Sequence, residues 1–117
     1  MNTNEAIAKH AQWTFKFRTA IHEGQQLDVN AIARDNQCDF GKWLHGEGRS
    51  LYGDSPVHAR CVADHAAFHR EAAKVAAAVN ARQKDRIESM LGPGTPYHDA
   101  SKKVCTTIVE LGNVLKR

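Results

Sequence analysis

The sequence predicts an all-α fold: an antiparallel four-helix bundle with short additional helical segments. Three observations carry the expectation. Apolar residues recur at spacings of three and four along most of the chain, the period of a helix with one buried face. No stretch shows the strict alternation of a half-buried strand. Helix-starting pairs, Ser55-Pro56 and Thr95-Pro96, stand where two of the stripes begin, each an N-cap followed by a proline whose missing N–H costs nothing in the first turn.

The first helix is expected from about Thr3 to Glu23. Ile7, His10, Thr14, Phe17 and Ile21 form its inner stripe, Asn2 with Glu5 supplies the cap, and Gly24 ends the pattern. A loop with Asp28 as a possible cap leads to Asp35, and a short second helix then runs to about His45, with Cys38 near its third position. Gly46 to Ser55 reads as a loop rich in breakers. The third helix carries His58, Val62, His65, His69, Ala72, Ala76 and Val79 on one face and ends near Asn80. A short helical piece from Asp85 to Leu91 stops at Gly92-Pro93-Gly94, and the last helix buries Ala100, Val104, Thr107, Ile108, Leu111 and Leu115.

With 117 residues, 42% hydrophobic and 25% charged, the chain suits one core, hence a single domain over residues 1–117. No apolar run approaches the ~20 residues that cross a bilayer, and the first residues lack the layout of a signal peptide. No membrane insertion and a cytoplasmic location are therefore expected. Three cysteines at unrelated spacings do not suggest a disulfide framework. The net charge of +3 is dispersed, without a long basic stripe, so nucleic acid is not an expected partner.

His65 and His69 are spaced i, i+4 and present two imidazoles to one side of a helix. His10 lies on the inner stripe of the first helix, and Cys38 opens the second. Together they read as a ligand set of three histidines and one cysteine, and Zn2+ is the ion that such nitrogen and sulfur donors suit, in a closed tetrahedron. Spacing alone leaves a second reading open, in which each is a separately satisfied core residue. A helix N-terminus favours a thiolate at Cys38, and Gly41, on the same face, leaves room for a neighbouring helix or the ion. His58 lies two turns from His65, roughly 10.5 Å, too far to join the set. His22, His45 and His98 sit near helix ends and read as solvated or as partners of the helix dipole, Cys61 and Cys105 as small core residues. Trp13, Phe17, Phe40, Trp43 and Phe68 read as core aromatics, with Trp43 and Phe68 placed to keep water from the ion.

Two alternatives use the same bundle differently. A hemerythrin-like oxygen carrier requires more histidines and bridging carboxylates, yet Gln26 follows His22 by four and Arg49 follows His45 by four. A zinc hydrolase requires an open coordination position and a general base, whereas His65 is followed by Ala66-Ala67. A purely structural helical interaction module is the third possibility.

At His10 and Trp13, at Cys38-Asp39-Phe40-Gly41-Lys42-Trp43-Leu44, and at His65 with His69, the chain resembles the bacterial chemoreceptor zinc-binding (CZB) domain family, from about His10 to the last helix. The resemblance implies a zinc-binding sensory domain, not an enzyme, with His10, Cys38, His65 and His69 as ligands. It further implies a homodimer that works with a chemoreceptor or a diguanylate cyclase, controls chemotaxis or cyclic-di-GMP signalling, and responds to zinc level or to oxidation of the cysteine by hypochlorous acid. No such output region accompanies the domain in this sequence, so it is expected to be an excised or a standalone member.

Overall fold

A computed structural model describes residues 1–116. Its regular structure is entirely helical, as the stripes predict. The first helical length is α1 (Thr3–Ala11) followed by α2 (Trp13–Glu23). Asn2 caps α1 by accepting from the Glu5 N–H at 3.0 Å. Gln12, between the two, keeps right-handed dihedrals, and the helical ladder runs through it from Ala8 O and on to Lys16 N. The pair therefore acts as the single helix expected. Gly24, at φ 71°, ends it in the left-handed conformation that glycine adopts without a Cβ clash.

Two segments read from sequence as loops are helical. Asp28 caps α3 (Val29–Ala33) through the Ala31 N–H. After α4 (Asp39–His45), α5 (Glu47–Tyr52) forms despite its glycines. Packing accounts for it: a Cβ at Gly48 would lie 2.8 Å from the Trp43 ring, so the missing side chain lets the indole lie on α5 and tertiary contact outweighs propensity. The long α6 (Pro56–Asn80) starts at the Ser55 cap, α7 (Lys84–Leu91) follows, and α8 (Pro96–Leu115) starts at the Thr95 cap.

Cross-links fix the direction of each length. Thr3 packs on Gly112 and the Thr14 hydroxyl lies 3.0 Å from that of Tyr97, so α1–α2 runs antiparallel to α8. Arg60 pairs with Glu110 and Asp64 with Lys103, so α6 also opposes α8. Asn80 meets Leu27, His69 meets the Ile32 carbonyl, and His58 donates to the Leu44 carbonyl. The broken length α3–α4 therefore descends along α6, giving four lengths that alternate in direction. Asn80 holds the top of this turn at two points, accepting from Leu27 N–H and donating to Leu27 O, each at 2.8 Å.

Phe17, Phe68, Ile87, Ile108 and Leu111 are fully buried between these lengths. Among the described residues, no helix is long and apolar enough to cross a membrane. Phe17 joins α2 to α8, its ring 5.4 Å from Trp13 and 5.7 Å from Tyr97. Phe17→Ala is expected to lower unfolding free energy by about 3–5 kcal/mol in urea titrations; a loss below about 1 kcal/mol would contradict this packing.

Candidate metal centre

His10, Cys38, His65 and His69 come together, with one donor atom from each lying within 4.8 Å of all the others. Among the described residues no carboxylate joins them, which removes the bridging groups a di-iron site would require. His65 Nε2 stands 3.0 Å from His10 Nε2 and 3.1 Å from His69 Nε2. Cys38 Sγ lies 3.4 Å from His65 Nε2 and 3.7 Å from His69 Nε2. A tetrahedron with zinc–ligand bonds of ordinary length has nitrogen–nitrogen edges of about 3.3 Å and sulfur–nitrogen edges of about 3.6 Å. The four edges that meet at His65 and His69 thus sit within a few tenths of an ångström of such a shell, and all six lie within 4.8 Å.

Proton positions follow from the carbonyls behind the rings. His10 Nδ1–H donates to Ala6 O at 2.7 Å and His69 Nδ1–H donates to Ile32 O at 2.8 Å. A carbonyl only accepts, so in both neutral rings Nε2 is a bare lone pair aimed at the cluster. A proton on His65 Nε2 could satisfy only one of them. The Cys38 thiol, a weak donor 3.7 Å from His69 Nε2, is the one proton left for the second, and a cation at the centre would instead engage all of these lone pairs as ligands. His65 has no backing carbonyl; its Nδ1 is buried without a partner.

Electrostatics prepare the nitrogens more than the sulfur. Burial holds the His10 and His69 imidazoles below their ordinary pKa, and burial together with the neighbouring His69 and His10 brings His65 down to about 2. All three rings are neutral at pH 7, the state in which they bind metal. Cys38 differs from the sequence expectation twice. It is the N-cap of α4, not its third residue, because its extended dihedrals let Sγ accept from the Gly41 N–H at 3.3 Å. Its thiol is also pushed up, not down: burial outweighs the stabilising backbone N–H groups of Gly41 and Phe40.

An aromatic collar closes the inner side. Phe40 meets the His65 ring edge-on at 5.2 Å, and Phe68 meets His10 at 5.3 Å and His69 at 5.5 Å. Trp43 stands one layer out, stacked on Phe40 at 6.3 Å, so the water-excluding role expected of Trp43 belongs to Phe40. On the outer side, a groove of about 510 Å³ with Lys9, Trp13, Asp39 and Phe40 in its walls reaches His10 and Cys38. The three histidines are buried and Cys38 is half-buried. The sulfur is therefore the donor nearest solvent.

Other expectations divide. His58 stays outside the set and instead donates to Leu44 O at 2.9 Å, tying α6 to α4. The Gly41 notch admits the Asp35 carbonyl, with which a Cβ would collide, and on its other side the neighbouring helix α6, whose His65 Cε1 would lie 3.1 Å from that Cβ. His45 is not a solvated end residue, since its Nε2–H donates to Asp35 Oδ2 at 2.7 Å. Neither Asp35 nor the Ala6 and Ile32 carbonyls carried a sequence signal. Only the glycine inside a short helix hinted at a close approach.

A family model described as the chemoreceptor zinc-binding domain matches residues 10–76, more than half of the chain. The matched span contains all four residues of the cluster and ends within α6, so α7 and α8 lie beyond it. No curated protein and no solved structure matches the chain.

Because the rings are already neutral and the thiol is protonated at pH 7, zinc binding should release about one proton per chain, from Cys38. The sign follows: raising the pH removes that proton in advance, so apparent affinity should rise about tenfold per pH unit between pH 7 and 8.5. Titration calorimetry in buffers of different ionisation enthalpy measures the count. Release of three or four protons, or none, would contradict the assigned protonation states.

Proposed function

The chain belongs to the chemoreceptor zinc-binding domain family, and from that premise we propose that it is a zinc-binding regulatory domain, not an enzyme, with His10, Cys38, His65 and His69 as its ligands. Its inputs are zinc availability and oxidation of Cys38. Its output is control of chemotaxis or cyclic-di-GMP signalling, exerted in the cytoplasm as a homodimer through a chemoreceptor or a diguanylate cyclase. The whole of residues 1–117 forms this domain.

The observation that carries the reading is the unequal placement of the four donors. His65 and His69 share one long helix and His10 lies on another, all buried. Cys38 is half-buried at the groove and caps a helix of seven residues. When bound, Zn2+ would keep the sulfur deprotonated and tie α1, α4 and α6 to one point. His10 and His69 would hold their places without the sulfur, through the Ala6 and Ile32 carbonyls, and His65 through its place on α6. Cys38 Sγ has only the Gly41 N–H and its ring partners to hold it, so loss of the sulfur ligand acts first on α4, which then keeps only its ties through Leu44 to His58 and through His45 to Asp35, besides its packing.

Hypochlorous acid entering the groove reaches Cys38, the most exposed of the four donors. In the net two-electron step the thiolate gains oxygen and becomes a sulfenic acid, the chlorine–oxygen bond breaks, and chloride leaves; the hydrogen of the acid stays on the new hydroxyl. A neutral sulfenic acid is a poor metal donor. One equivalent of oxidant should therefore free about one zinc per chain, read with a chromogenic chelator, alongside a shift in Trp43 emission as α4 moves. Cys38→Ser, loaded with zinc, should show neither response to the same dose. Equal release from this variant would place the oxidised group elsewhere and sink the redox part of the reading. Hydrolytic activity lost on chelation would sink the non-enzymatic part.

A further inference from the structure

The segment that carries the sulfur is fastened by a side-chain pair that the ligand set does not include. Asp35 stands before Cys38, and His45 is the last residue of α4. His45 Nε2–H donates to Asp35 Oδ2 at 2.7 Å, with both side chains less than one-third exposed. The backbone of Asp35 is engaged as well, its carbonyl filling the notch over Gly41, where a Cβ would collide with it. One residue thus grips α4 at its middle through the main chain and at its end through the carboxylate. On the far side of the ring an Arg49 N–H lies 3.4 Å from His45 Nδ1, which extends the chain of contacts to α5 and fixes the tautomer: Nδ1 accepts and Nε2 donates.

We propose that the Asp35–His45 pair is a positioning latch for Cys38, closing the loop from residue 35 to 45 so that the sulfur is held at the three imidazoles before any ion arrives. The proposal rests on the metal-centre reading above. The physical need is specific to this donor. His65 and His69 are preorganised by one α6 helix, and His10 by its own carbonyl contact. Cys38 lies in a turn between two short helices, α3 and α4, where backbone entropy works against a fixed position. Closing that loop raises the effective concentration of the sulfur at the site and slows its departure. Asp35 and His45 touch neither ion nor oxidant. They act through Cys38.

The test compares zinc release from full-length loaded protein, by chelator competition, in wild type, Asp35→Ala, His45→Ala and the double variant. Outer contacts of this kind change metal affinity by about tenfold or more, so each single variant should release zinc about tenfold faster. The double variant should release it no faster than either single one, because one interaction cannot be lost twice. In cobalt-loaded protein the sulfur-to-metal charge-transfer band should weaken in both single variants while imidazole ligation persists. Asp35→Asn, which keeps an oxygen acceptor for His45, should recover most of the wild-type rate and band. Arg60→Ala, which breaks the α6–α8 ion pair with Glu110, serves as a control for general loosening and should leave both unchanged. Wild-type rates in the alanine variants, multiplying effects in the double variant, or an equal acceleration by Arg60→Ala would each overturn the latch. Failure of wild-type protein to bind zinc would instead overturn the metal-centre reading on which it rests.

Discussion

Three uncharged imidazoles and one sulfur are kept within 4.8 Å of one another in an apolar pocket, and much of the fold answers to that constraint. Lone pairs packed this closely repel unless a proton or a cation stands between them, and desolvation sharpens the cost. The carbonyls of Ala6 and Ile32 take the Nδ1 protons and so commit two rings to face inward. Phe40 and Phe68 exclude water from the rings they touch. Burial then keeps the imidazoles neutral. Each feature makes the empty set less comfortable and the loaded one more so, the expected coupling between metal binding and folding.

The same constraint explains a division of labour among the helices. α6 is long, capped by Ser55 and packed along much of its length, and it carries two donors in fixed relation. α4 has seven residues and brings the sulfur in from a turn. Stability is therefore unevenly distributed: a rigid histidine face opposes a segment held by few contacts, the kind of element from which conformational switches are drawn. Solvent access through the groove falls on the same side.

Much of this was legible in the sequence because it rests on helical period and caps. The His65–His69 pair, the Ser55 and Thr95 starts and the long first helix are local features, and the three-residue and four-residue stripes reveal them. α5 was hidden, since Gly48 reads as a breaker until Trp43 is seen to occupy its missing side chain. The Cys38 cap reads from sequence as an interior position because thiols rarely fill that role, and the rise in its pKa depends on burial that only the assembled fold supplies. The pairing of Asp35 with His45 joins two residues through a turn whose course no local pattern encodes.

The account stands on a single ion held by one sulfur and three nitrogens. X-ray absorption at the zinc edge, on full-length protein loaded with one equivalent under reducing conditions, measures that shell directly. The account predicts one sulfur at about 2.3 Å and three nitrogens at about 2.0 Å, with no further light-atom ligand. A shell of nitrogen and oxygen alone, or six-fold oxygen coordination, would contradict it.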